Sequence, residues 1–164
     1  MTINECLEHL KVYCKEKTKH FQMPETVQKG DVAQNFRAPE VYKMRLSNSS
    51  AAKKLAPYII VQYVNSMDKQ PHGKNSDSTA FFRFIFCVFC DDEQKGMAML
   101  LNVMDAVRIG LLKDVVIADR IKLDTDAGLE MLPYNDDTAP YYAGELVGTF
   151  ILPPIEREAP LNGF

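Results

Sequence analysis

The chain has 164 residues, 46% of them hydrophobic and 25% charged, a balance that suits one domain with a real core. No apolar run approaches the roughly 20 residues of a membrane span, and the mixed-charge start MTINECLEHLKVYCKEK does not read as a secretory signal, so a cytoplasmic protein is expected. The net charge of −3 is uneven: residues 1–56 hold ten Lys/Arg against six Asp/Glu, whereas residues 57–164 hold nine against sixteen.

A first helix is predicted from Thr2, which with Glu5 matches a capping box. Ile3, Cys6, Leu7, Leu10 and Cys14 recur at helical spacing, and the helix should end near Lys17–Lys19. Residues 22–56 lack periodicity and carry Pro24, Gly30, Pro39 and the polar run Ser47-Asn48-Ser49-Ser50. They read as a long extended arm with short strands around Val41–Leu46, and so long a connection is usually functional. The division expected is an N-terminal helix and arm over 1–56 and an α+β body over 57–164, one domain together.

From Pro57 the character changes. YIIVQYV, 58–64, reads as a strand, and MDKQPHGKNSDS, 67–78, as a polar loop. Between Thr79 and Cys90, Phe82, Phe84, Phe86 and Val88 fall on one side of a strand. Phe81, Ile85, Cys87 and Phe89 fall on the other, broken only by Arg83. A strand apolar on both sides is central, covered on each side by a helix or by another subunit. Asp91-Asp92-Glu93 should cap a helix whose stripe is Met97, Leu100, Leu101, Met104, Val107 and Leu111. A single strand over Val115–Leu123, a short one over Leu129–Leu132, the turn PYNDDTAP and a last strand from Tyr141 to Leu152 follow. The order helix, long connection, β-β-α-β-β-β predicts α+β with a mainly antiparallel sheet, its first face packed on the helix stripe.

No motif carries chemistry. Cys87-Val88-Phe89-Cys90 has the CxxC spacing, but it lies inside a strand, where residues three apart point to opposite faces, and Cys6 and Cys14 do not supply a second pair. The expectation is buried thiols. Asp91-Asp92 and Asn135-Asp136-Asp137 read as cap and turn residues. Asp124-Thr125-Asp126-Ala127-Gly128 lacks the glutamate of a calcium loop, since the twelfth position is Asn135. His72 reads as a solvated loop residue. No catalytic residue, metal ligand or cofactor is expected, and the chain is read as a non-enzyme. The +4 of the first part is not the dense basic patch of a nucleic-acid footprint. Opposite charges on arm and body suit assembly of one copy on the next.

PYIIVQYV at 57–64, the strand closed by Asp91-Asp92, GMAMLLNVMDAVRIGLL at 96–112 and APYYAGELVGTFILPPIERE at 139–158 together resemble the tail-completion or tail-terminator proteins of long-tailed bacteriophages and prophages. The resemblance spans about residues 55–158. It implies a ring of identical subunits, often six, that stops polymerisation of the tail tube and presents a surface to the head connector. The partners implied are other copies, the tail-tube protein and connector proteins; a membrane is not expected, and the charge reading above weighs against nucleic acid. The implied location is the host cytoplasm during assembly and then the virion tail. Heterologous contacts between copies close into such a ring. Candidate interface residues are Lys43, Arg45, Lys53 and Lys54 in the arm and Glu156, Arg157 and Glu158 beyond the last strand. That strand is expected to lie near a neighbour, with Pro153-Pro154 ending its pairing. The alternative class is a non-enzymatic binding module or regulator, with nucleic acid as the partner that its basic first part could bind.

Overall fold

The structure, a computed structural model, describes residues 1–27, 33–46, 55–136 and 138–158. In chain order the elements are α1 (Ile3–Thr18), β1 (Met23–Pro24), β2 (Phe36–Arg37), β3 (Glu40–Lys43), β4 (Tyr58–Lys69), β5 (Asp77–Phe89), α2 (Glu93–Asp114), β6 (Val116–Ile117), β7 (Ile121–Leu123), β8 (Leu129–Pro133) and β9 (Tyr141–Leu152). The α+β class holds. β1 and β2 form a separate ribbon, and the other strands lie in the order β3-β4-β5-β9-β7-β6, with β8 also on β9. Every pairing is antiparallel except β3 on β4.

Both helices begin on side-chain caps. The Thr2 hydroxyl accepts from the Glu5 amide at 3.2 Å while the Thr2 amide donates to Glu5 Oε2 at 2.6 Å, so two end donors are satisfied reciprocally. Asp92 Oδ1 accepts from the Gln94 amide at 2.9 Å, with Glu93 adding negative charge to the first turn of α2.

β5 is the spine of the sheet, paired along its length with β4 on one side and β9 on the other. Its alternation decides the two faces. Ala80, Phe82, Phe84, Phe86 and Val88 point inward and are buried with Leu146 and Phe150 of β9 and Ile59 and Val61 of β4. Against that inner face lie Cys6, Leu7, Leu10 and Cys14 of α1 and Leu100, Val103, Met104, Val107 and Leu111 of α2. The expected packing of the Phe82/Phe84/Phe86/Val88 face on the helix stripe is therefore present. The stripe itself is rotated slightly: Val103 is buried, whereas Met97 and Leu101 are only half-buried.

The two helices are also tied at their C-terminal ends. The Tyr13 hydroxyl donates to Asp114 Oδ2 at 2.8 Å and Lys17 Nζ lies 2.7 Å from the same oxygen. A side chain at Gly110 would intrude here, since a Cβ would stand 2.9 Å from the Tyr13 hydroxyl oxygen. The hydrogen bonds from Lys17 and then Tyr13 hold the Asp114 carboxyl below its ordinary range. A carboxyl depressed in the folded state contributes stability above its unfolded pKa and loses it as pH falls through the folded value. Asp114→Asn should therefore lower the urea midpoint at pH 7, and the difference from wild type should begin to narrow at about pH 3.9 and shrink further as pH falls through the lowered folded value. Unfolding curves of both proteins at pH 7 and pH 3 check this. A gap that is the same at both pH values would mean that the carboxylate charge contributes nothing.

Four sequence expectations need correction. The polar stretch 67–78 is not a loop: β4 runs on to Lys69 and β5 starts at Asp77, so the hairpin connection is only 70–76. A bulge at Val64 lets β4 continue in register with β5. The predicted strand 115–123 is a hairpin instead. Val115 has φ of 60° and ends α2 with its amide on Leu111 O, while Ala118 and Asp119, at φ 50° and 57°, reverse the chain between β6 and β7. In the segment 22–56 the short strand expected around Val41–Leu46 is β3, Glu40–Lys43, but over its described length the segment is packed on the body and not an extended arm, since β3 joins the sheet and Met23, Val41, Leu46 and Ala56 are buried. Finally, β9 is no edge strand, being paired with β5 on one side and with β7 and β8 on the other. Pro153-Pro154 thus end an interior ladder.

Candidate interaction surface

Both helices pack on the inner face, so among the described residues no helix covers the outer one. At one end of that face a second cluster forms, in which Leu46 and Ala56, with half-buried Leu55, lie over Tyr58, Ile60, Cys87 and Phe89. Among the described residues, the cover ends toward the β4–β5 turn. There Phe81, Val147, Thr149 and Ile151 are half-buried and Met67 is 58% exposed. An antiparallel sheet with one solvated face normally alternates apolar with polar residues. This one mixes Phe81, Ile85, Val147 and Ile151 with Thr79, Arg83, Glu145 and Thr149 at its outward positions. Two hollows of about 320 and 350 Å³ flank Phe81, one bounded by Gly128 and Leu129, the other by Asn65 and Met67.

In the middle of this face stands a polar group of four. Arg83 Nε is 2.5 Å from Glu145 Oε2 and its Nη1 donates to Gln62 Oε1 at 3.1 Å. Arg83 lies opposite Val147 and Glu145 opposite Ile85, so the ion pair is a diagonal across two strands. Tyr134 completes the group. Its hydroxyl is held above the ordinary range, by burial first and then by the Glu145 carboxylate, and the Arg83 guanidinium is held up by its bond to Glu145. The Glu145 side chain is only 14% exposed, and a carboxylate this enclosed depends on its partners.

The candidate interface residues do not form one patch. Lys43 Nζ lies 2.6 Å from Glu8 Oε2, which ties β3 to α1. Arg45 is exposed, as are Glu156 and Glu158. Arg157 turns back on its own chain, donating to the backbone carbonyl and side-chain oxygen of Gln70. Gln70 in turn donates to Ile155 O at 2.7 Å. The segment after β9 is thus fastened to the β4–β5 turn. Lys53, Lys54 and Asp137 lie outside the described residues.

The remaining candidates fall as follows. Asp92 is the helix cap, and Asp124 Oδ1 accepts from the amides of Asp126 and Ala127 at 3.1 Å each, closing its own turn. Cys6, Cys14, Cys87 and Cys90 are buried thiols outside any disulfide, and burial pushes the Cys14 thiol up. His72 is exposed in the hairpin turn. Among the described residues no three His, Cys, Asp or Glu side chains are grouped so as to hold a metal ion, and no helix is long and apolar enough to cross a membrane.

The Arg83–Glu145 group was missed from sequence, although a signal existed. Arg83 is the single charge in FFRFIFCVFC and Glu145 the single charge in YYAGELVGTFIL. Opposite lone charges in two apolar strands ask for each other, but only the register shows that they meet. No family model matches this chain, and a search of curated proteins finds no match.

Proposed function

We propose that this chain is a structural assembly protein without chemistry of its own, which closes the growing end of a bacteriophage or prophage tail tube as a ring and offers a face to the head connector. The observation that supports this most is where the resembling stretches lie. Residues 57–64, 96–112 and 139–158 occupy β4, α2 and β9, which share one core with β5 between the two strands. The likeness is thus carried by a packed unit and not by scattered pieces. An outer face that carries several apolar side chains supplies the kind of surface an assembly protein needs, and exposed Arg45, Glu156 and Glu158 supply charges that a partner can meet.

The test is tube length. Tail-tube protein of the same phage, polymerised alone, should give overlong tubes of variable length. With this chain present, tubes should stop growing and carry a ring at one end in electron micrographs. Arg45→Glu should reduce the fraction of capped ends without altering the melting temperature. Tubes whose lengths and ends are unchanged by the wild-type chain would overturn the proposal.

A further inference from the structure

We infer that the outer face of the sheet packs against the same face of a second copy of this chain, sheet on sheet about a two-fold axis.

Three observations point to a second copy as the occupant. The first is the side-chain pattern: Phe81, Ile85, Val147 and Ile151 take every second outward position on β5 and β9, between Thr79, Arg83, Glu145 and Thr149. The second is charge. A face that meets itself must be its own complement, and this one carries a cation and an anion side by side near its middle, Arg83 and Glu145. An axis between them brings each Arg83 over the partner's Glu145 as well as its own. Burial does not strand either charge, because Glu145 and Gln62 already bond the guanidinium within the chain. The third is size. Clear of the covered end, β4, β5 and β9 offer about eight residues each and β8 has five, which at about 4.8 Å spacing and about 3.3 Å rise give roughly 460 Å² of flat sheet per copy. That is the size range of weak, reversible pairs.

The hollows beside Phe81 suit this arrangement, since sheets stacked about 10 Å apart interdigitate their side chains. A large apolar residue of the facing copy can seat between Phe81 and Met67 or between Phe81 and Leu129. The contact is isologous and stops at two copies, unlike a ring contact, so it stands whether or not the tail reading does.

Sedimentation of the full chain from about 1 to 100 µM tests it. The wild type should reach the mass of two chains of 18.6 kDa each. Val147→Lys and Thr149→Lys, both at half-exposed outward positions, should each weaken the pair at least tenfold while leaving the melting temperature of the single chain within a few degrees. The charge exchange Arg83→Glu with Glu145→Arg preserves complementarity within and between copies and should still pair. Two results would overturn the inference: a wild type that stays a single chain at 100 µM, or a pair indifferent to both lysine variants. A six-copy ring that survives both variants would also overturn it while favouring the tail reading. Tube capping without any two-chain species would separate the two in the same way.

Discussion

Phe84→Ala is expected to lower stability by about 3–5 kcal/mol, the range for removing a fully buried large aromatic, and to leave little soluble protein at 37 °C. Phe84 has no exposed surface, stands in the central strand between Val61 and Leu146, and meets Phe150 edge-on with ring centroids 6.1 Å apart. β5 is held from both sides, and a hole at its middle cannot be filled by a shift of one neighbour. The informative comparison is Phe81→Ala, three residues earlier in the same strand. Phe81 points to the outer face and is half-buried, so its loss should cost about 1 kcal/mol in the single chain. Urea unfolding of both variants, at concentrations low enough to keep single chains, measures the difference. Equal losses would mean that the two faces of β5 are equally packed, against the placement of both helices on one side.

That contrast also shows what the sequence could reveal. Period-two burial is strong where one face of a strand meets a core, and so β5 and β9 were legible, β9 to the residue from Tyr141 to Leu152. The outer half of the β4–β5 hairpin was not. From Asn65 to Lys69 every residue is exposed, no face is buried, and the pattern that marks a strand has nothing to act on. Backbone pairing, with the Ser78 hydroxyl donating to Asp68 Oδ1 at 2.7 Å, holds that part. The β6–β7 hairpin was hidden for another reason: Ala118 and Asp119 take positive φ without the Asn-Gly or Asp-Gly signature of such turns, so the apolar alternation seemed to run through. The parallel β3–β4 pair could not be seen either, since four residues of β3 carry too short a pattern.

The site was less legible than the fold. Sequence reading offered exposed charges, because exposed charge is what composition displays. Lys43 and Arg157 turn out to bind within the chain. The charge at the centre of the outer face is Arg83, which interrupts an apolar strand and in one dimension looks like a flaw in the pattern. A lone charge in a central strand is expensive to place, and its presence there implies a partner that only the three-dimensional register identifies.

The second large effect concerns a position where local propensity and packing disagree. Gly96 lies in the first turns of α2, where alanine would favour the helix by about 0.8–1 kcal/mol. Yet a Cβ there would stand 2.0 Å from Tyr142 Cε2 and 2.3 Å from its Cζ, well inside contact. The Tyr142 ring reaches from β9 across the helix backbone, with its hydroxyl oxygen shut off from solvent. Gly96→Ala must therefore push the ring away or lift the start of α2 from the sheet. Overpacking of this kind costs about 1–3 kcal/mol, enough to outweigh the helix gain, so the expected net change is a loss. Tyr142→Ala alone should also destabilise, by loss of ring packing. In the Tyr142→Ala background the obstacle is gone, and Gly96→Ala should now stabilise by up to about 1 kcal/mol. The same substitution thus changes sign between the two backgrounds, a coupling that contact between the two residues produces and independent sites do not. Thermal unfolding of the wild type, both single variants and the double variant completes the cycle. If Gly96→Ala has the same effect with and without the tyrosine ring, the close approach of β9 to the start of α2 is not what keeps glycine at this position.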